Sequence, residues 1–139
     1  MMKALGIDLG EVRIGLALSD DLGMLAHPLE TLRVDEKPDV VERIARIVER
    51  NKVEIIIVGM PRNMNGTYGP AADKAKAFAA RLKAKVKCEV KFWDERLTSV
   101  AAQKALQAGG RNAKQSRAVI DQVAAQFILQ GYLDSLPPV

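Results

Sequence analysis

The chain has 139 residues, 48% of them hydrophobic and 27% charged, with a formal net charge of +4. This composition is typical of one soluble globular domain, and it excludes a fibrous or disordered chain. The mild positive charge suits an anionic partner such as nucleic acid, although many small proteins are equally basic.

The start of the chain and its rare residue types further limit the classes of protein that fit this sequence. No apolar run approaches the roughly 18 residues that span a bilayer, and Met1–Ala4 leads directly into a strand-like segment without the apolar core of a signal peptide. Cys88 is the only cysteine and His27 the only histidine, so an internal disulfide and a cysteine zinc site are excluded. We expect one domain over residues 1–139, a cytoplasmic location and no membrane partner.

The first part of the chain predicts three short strands. In residues 5–10, Leu5, Ile7 and Leu9 alternate with smaller residues, which places Asp8 on the opposite face. Residues 13–19 predict a second strand, and residues 24–32 a third that is interrupted near Pro28. Because the links between them are short, we expect an antiparallel meander.

The rest of the chain alternates helices and strands. Helices are predicted from about residue 40 to 50, from Pro70 to about Lys85, from 98 or 99 to 106, and from 118 to 133; strands are predicted at 54–58 and 88–93. The strand at 54–58 is continuously apolar and should be buried on both faces. The polar, basic segment 111–117 is predicted to be a mobile loop. The predicted face of the second helix consists of Ala71, Ala75, Phe78, Ala79 and Leu82.

A meander followed by strand–helix units predicts an α/β fold with a mixed five-stranded sheet and helices on both faces. In such a sheet, functional groups gather where central strands end. Asp8 lies on the first strand, Asp94 and Glu95 follow the last one, and Asp121 lies beside the apolar stripe of the final helix. Each acid also has a purely structural explanation: Asp8 paired with Arg13, Glu95 with a lysine, and Asp121 at the edge of a packed face.

Together the three acids favour a metal site. Three converging carboxylates repel one another unless a cation offsets their charge. Mg²⁺ or Mn²⁺ suits such oxygen ligands, and two ions about 3.5–4 Å apart can activate water and stabilise a leaving oxygen in phosphodiester cleavage.

Four motifs, in order along almost the whole chain, resemble the YqgF/RuvX family of small bacterial nucleases with an RNase H-like fold. They are Gly6–Gly10 with Arg13–Ala17, Val58–Pro61 with Met64–Gly66, Asp94–Ser99, and Asp121 with Ala124–Ala125 and Ile128–Leu129. Any one of these motifs is weak evidence. Four in register are strong evidence.

The resemblance implies that Asp8, Glu95 and Asp121 are catalytic acids that bind one or two Mg²⁺ or Mn²⁺ ions. Asp94 is turned away from Glu95 by strand alternation unless a bulge intervenes. The family often carries adjacent lysines before the last helix, whereas here Gln115 follows Lys114. The nucleic-acid contacts are expected from basic side chains, namely Arg13, Arg62, Arg96, Arg111, Lys114 and Arg117.

The implied substrate is structured nucleic acid, with the 5′ end of pre-16S rRNA as the first expectation and a Holliday junction as the alternative. Junction resolution needs two symmetric nicks, so a homodimer stays open. Two other classes compete. Asp8-Leu9-Gly10 also resembles the first phosphate motif of actin-like ATPases and sugar kinases, and micromolar ATP binding would favour that class. A catalytically silent binding module would tolerate neutral residues at the three acid positions, where this chain has acids.

Overall fold

The computed structural model describes residues 2–61, 69–94 and 113–137. Side chains of the last helix are described from residue 119 onward. The elements, in chain order, are β1 (Ala4–Leu9), β2 (Arg13–Ser19), β3 (Ala26–Arg33), α1 (Val40–Asn51), β4 (Ile55–Met60), α2 (Pro70–Lys85), β5 (Glu89–Asp94) and α3 (Ala113–Ser135).

The five strands form one mixed sheet in the order β3-β2-β1-β4-β5. β1, β2 and β3 pair antiparallel, whereas β4 lies parallel to both β1 and β5. This confirms the predicted meander followed by strand–helix units. Since β1, β4 and β5 run in the same direction, their carboxyl ends meet at one edge of the sheet, and that edge is where a site is expected.

Helices cover both faces of the sheet, as predicted. On one face, α1 and α2 pack over Leu5 and Ile7 of β1. On the other face, α3 packs over Ala4, with Ile128 and Leu129 fully buried. β4 contributes Ile56 and Val58 to the first core and Ile55 and Ile57 to the second, which confirms that this strand is buried on both sides.

Small residues let α3 approach the sheet closely. A Cβ atom added to Gly6 would lie 2.7 Å from Cβ of Leu129 and 2.8 Å from the carbonyl oxygen of Ala125. Further along the helix, a Cβ atom on Gly131 would lie 2.9 Å from Nε1 of Trp93. The short distance between α3 and the sheet therefore depends on glycines at these two contacts.

Three boundaries differ most clearly from the sequence prediction. β3 begins at Ala26 rather than residue 24, because the turn is closed by bonds from the Gly23 and Met24 amides to Asp20 and from the Asp20 amide to Leu25. β4 continues to Met60 because its pairing with β5 extends that far. α3 begins at Ala113, so the predicted loop is wrong from residue 113 onward; residues 113–117 contain neither Gly nor Pro, which allows the helix to continue.

The predicted inward face of α2 is wrong at one position. Ala71 is exposed, and Ala72 is buried instead. Ala72 packs with Ala75 against Met60, the last residue of β4, so this contact sets the phase of the first turn. The short helix predicted at 98–106 lies outside the described residues.

Asp39 precedes α1 and caps it: its side chain accepts a hydrogen bond from the Val41 amide at 3.0 Å. Arg81 of α2 donates to the same carboxylate oxygen at 2.8 Å. This Arg81 hydrogen bond, with help from the Val41 amide, holds the pKa of Asp39 below its usual value of 3.8. Asp39 thus caps one helix and links it to its neighbour.

Replacing Asp39 with alanine should lower the free energy of unfolding by about 1 kcal/mol, the usual contribution of a helix cap. Because the folded-state pKa of Asp39 is depressed, its contribution is present above pH 3.8 and is lost as the pH falls below that value. Urea denaturation at neutral pH and in acid checks this, with Asp35→Ala as the control. Asp35 pairs with Arg33 in an exposed ion pair and caps no helix. Equal losses in the two variants would contradict the capping role.

In the part of the chain that the structure describes, no helix is both long and apolar enough to cross a membrane.

Candidate functional site

Asp8 lies near the carboxyl end of β1 and is partly exposed. Its neighbours Ile7 and Leu9 face the core under α1 and α2. Ala4 and Gly6 face α3. Since strand residues alternate between faces, Asp8 also faces α3. This confirms the prediction that Asp8 lies on the face of β1 opposite Ile7 and Leu9.

Gly15 brings Asp121 to the same place. It is the cross-strand partner of Asp8 in the pairing of β1 with β2. A Cβ atom built on Gly15 would overlap the backbone carbonyl of Asp121. The backbone of α3 therefore lies directly on Gly15, beside Asp8. Two of the three predicted acids share one region on one face of the sheet.

Asp121 lies at the edge of the packed stripe of α3, as predicted. Its side chain keeps 22% of its surface exposed, while Ala124 and Ala125 on the following turn are buried. A carboxylate in this position is accessible to a ligand, but its helix is held by the core. The backbone position of Asp121 is thus fixed by packing.

Arg13, the first residue of β2, contacts Asp121: its Nε lies 3.5 Å from Oδ2 of the carboxylate. One structural explanation of Asp8 pairs its carboxylate with Arg13; the contact shown here for Arg13 is with Asp121. The turn before Arg13 is closed by a hydrogen bond of 2.9 Å from the Gly10 amide to the Arg13 carbonyl. Glu11 and Val12 of this turn, together with Gly10, Arg13 and Asp121, line an open depression of about 220 Å³.

Asp94 lies on the other side of the sheet. Trp93 belongs to the core under α3, and Val90 to the core under α1 and α2. By alternation, Asp94 faces away from Asp8 and Asp121. This agrees with the reservation drawn from the sequence about Asp94.

The structure does not describe the side chains of the remaining predicted site residues. Glu95, Arg62, Arg96 and Arg111 lie outside the described residues. The backbone of Lys114 and Arg117 is part of α3, and their side chains lie outside the described part. Their roles stay predictions.

The donors present suit a hard divalent cation. Asp8 and Asp121 offer carboxylate oxygens from two different elements, which is the ligand type of Mg²⁺ and Mn²⁺. Within residues 2–61, 69–94 and 113–137 there is no cluster of three or more His, Cys, Asp or Glu side chains able to hold a metal ion. The third predicted ligand, Glu95, lies outside these residues.

Sequence reasoning missed Gly15. Ala124 and Ala125 are the small, buried residues on the helix side of this contact, and the matching small residues on the strands were not recognised from the sequence. Gly6 and Gly15 lie on neighbouring strands, and both would clash with α3 if they carried a Cβ atom. Glycines inside two apolar strands were the available signal, because glycine in a strand often marks a close backbone approach.

The chain is similar to known proteins along nearly its whole length. The RuvX family model, described as Holliday junction resolvase, matches residues 2–135. A Clostridium botulinum protein named "Putative pre-16S rRNA nuclease" is 42% identical over 135 residues, covering 97% of this chain and 98% of the relative. A Desulforamulus reducens protein of the same name is 46% identical over 134 residues, covering 96% and 98%.

Solved structures show the same fold at low sequence identity. RuvC of Thermus thermophilus in complex with a Holliday junction substrate has a TM-score of 0.56, 14% identity and full coverage of both chains. The Fowlpox virus resolvase bound to junction DNA has a TM-score of 0.57 at 14% identity, covering 99% of this chain and 100% of that one.

The fold and the nuclease-named relatives together identify a nuclease with an RNase H-like fold, an enzyme class that hydrolyses phosphodiester bonds. Within that class, the chain belongs to the RuvX family, whose model spans it from residue 2 to residue 135.

Proposed function

We propose that this chain is a divalent-metal-dependent nuclease that cuts structured nucleic acid, most specifically at the 5′ end of pre-16S rRNA. The observation that carries the proposal is the placement of Asp8 and Asp121 on one face of the sheet, with Gly15 beneath the Asp121 backbone. Asp121 lines an open depression, Asp8 lies on the same face of the sheet and is partly exposed, and carboxylate oxygens of this kind suit a divalent cation.

Asp8, Glu95 and Asp121 are the proposed ligands of Mg²⁺ or Mn²⁺, with two ions present when substrate is bound. The carboxylates would hold the ions, which would supply a more acidic water and stabilisation of the leaving oxygen. The packing of α3 keeps the backbone of Asp121 in place. Because these ligands come from separate elements, folding itself assembles the site.

Basic residues are proposed to hold the phosphate backbone and set its direction. Arg13 is the member of this group whose side chain the structure describes, and it lies against Asp121. Guanidinium groups bind phosphate through paired hydrogen bonds, and such contacts position nucleic acid without reading its sequence. The full proposed set is Arg13, Arg62, Arg96, Arg111, Lys114 and Arg117.

The names of the relatives favour the RNA substrate, whereas the family description favours a Holliday junction. The relatives match almost their full length, so we take pre-16S rRNA as the substrate and junction DNA as the alternative. Symmetric cleavage of a junction would require two copies of the site and hence a dimer. Trimming an RNA end requires one.

The test compares a pre-16S rRNA fragment with a four-way DNA junction at matched length and salt, since salt alone changes nucleic-acid affinity strongly. We expect faster cleavage of the RNA with Mg²⁺ or Mn²⁺ and none in EDTA. Faster cleavage of the junction, by paired nicks, would favour the alternative substrate and a dimer. Undiminished cleavage in EDTA, or none of either substrate with metal, would overturn the nuclease proposal.

A further inference from the structure

The ion pair between Arg13 and Asp121 joins a proposed phosphate-binding cation to a proposed metal ligand. Nε of Arg13 lies 3.5 Å from Oδ2 of Asp121, and the two side chains keep only 24% and 22% of their surface exposed. Partial burial weakens screening by water, so this pair is stronger than one at the open surface. A divalent cation on Asp121 would be repelled by the guanidinium.

We propose that Arg13 occupies the Asp121 carboxylate in the free protein and moves to a phosphate of the nucleic acid when substrate binds. Asp121 then becomes available to the metal only when substrate is present. This inference rests on the proposed function, because it requires that Asp121 bind a divalent cation. It extends that function by assigning Arg13 a positioning role that couples metal binding to substrate binding.

The surroundings of the pair indicate that the arginine is the mobile partner. The backbone of Asp121 lies on Gly15 with no space between them, so α3 cannot shift without losing its contact with the sheet. Arg13, in contrast, borders the open depression of about 220 Å³ that Gly10, Glu11 and Val12 also line. A long, flexible guanidinium side chain can swing into that space towards a phosphate.

Linkage makes the coupling reciprocal. If nucleic acid draws Arg13 from Asp121 and so tightens metal binding, then metal must tighten nucleic-acid binding by the same factor. The free protein would bind metal weakly, and the complete centre would assemble on the substrate. Hydrolysis of other phosphodiesters by a preloaded site would thereby be reduced.

The first experiment measures Mn²⁺ affinity by electron paramagnetic resonance, without nucleic acid. Arg13→Gln should bind Mn²⁺ about three- to tenfold more tightly than wild type, because the competing charge is gone. Arg13→Lys, which keeps the charge, should stay near wild type. The matched control is Arg46→Gln, which breaks an exposed pair of the same 3.5 Å length with Glu42 and should change nothing.

The second experiment measures binding of a fluorescein-labelled RNA hairpin in EDTA, where no cleavage occurs. Asp121→Asn should release Arg13 and tighten RNA binding. Arg13→Gln should then weaken binding about three- to tenfold in the Asp121→Asn background and much less in wild type. Equal losses in both backgrounds would overturn the proposal, since they would mean that Asp121 does not restrain Arg13.

The results of these experiments distinguish a failure of the proposed coupling from a failure of the proposed metal-dependent function. If adding Asp121→Asn to Arg13→Gln leaves Mn²⁺ affinity unchanged, Asp121 is not a metal ligand even when its competitor is gone, and the proposed metal site fails. If Asp121→Asn loses Mn²⁺ in that background while Arg13→Gln alone matches Arg46→Gln, only the coupling fails. If Arg13→Gln binds Mn²⁺ more weakly than wild type, Arg13 orients Asp121 instead of competing for it, and the proposal is overturned.

Discussion

Asp8→Asn should abolish metal-dependent cleavage while leaving the protein folded. Asparagine keeps the shape of the side chain but removes the charge that holds a divalent cation. We expect the cleavage rate to fall by at least about a thousandfold, the scale of loss when a central catalytic group is removed. The cleavage rate on the preferred nucleic acid under saturating Mg²⁺ measures the loss of activity. A thermal unfolding curve measures whether the variant stays folded.

The matched control for this variant is Asp21→Asn. It makes the same chemical change on the side chain of Asp21, which is 89% exposed and pairs with Lys3 at 2.9 Å. Asp21 lies in the turn after β2, so its variant should cleave at the wild-type rate. Wild-type cleavage by Asp8→Asn would remove Asp8 from the proposed metal site.

Gly15→Ala should damage both stability and activity. The added methyl group would overlap the backbone carbonyl of Asp121, and a helix backbone cannot rotate out of the way as a side chain can. α3 must therefore move off β2, at a cost of about 1–3 kcal/mol in unfolding free energy. The same movement carries Asp121 away from Asp8, and a displacement of about 1 Å can reduce a rate about a hundredfold.

Gly131→Ala separates these two effects. Its methyl group would also crowd α3, at 2.9 Å from Nε1 of Trp93, but at a part of the helix far from Asp121. Because the Trp93 side chain can shift where a helix backbone cannot, we expect a smaller loss of stability in urea denaturation, with most cleavage activity retained. If the two alanine variants lose the same activity under conditions where both are folded, Gly15 has no special role in placing Asp121.

Local patterns in the sequence were sufficient to predict most of the fold. The apolar stripe of α1 and the uninterrupted run of β4 each specify one kind of element, because burial imposes its period on the sequence. Asp8 and Asp121 could be selected as site residues because each is a carboxylate among buried apolar neighbours. The order of the strands brings these two residues to the same region of the sheet. That order was already implied by the predicted meander and strand–helix units.

The contacts that build the site could not be predicted in the same way. A sequence shows that residue 15 is glycine, but it does not show that a helix more than a hundred positions later rests on it. Arg13 is close in sequence to Asp8, which suggested that pairing; the observed contact of Arg13 with Asp121 depends on the register of β2 and the position of α3. The early start of α3 was missed because a polar segment can be helical when neighbouring packing supports it.

Two glutamines on α3 also determine how copies of this protein can associate. Gln130 accepts a bond from the Ala26 amide at 2.9 Å and donates to the Met24 carbonyl at 2.9 Å, while Gln126 donates to the Ala26 carbonyl at 3.0 Å. These bonds use backbone groups at the start of β3, the outermost strand on its side, and Pro28 nearby has no amide to offer. Strand addition by a second molecule is therefore blocked at the start of β3. A dimer built to cut both arms of a junction could not form by pairing strands at this position.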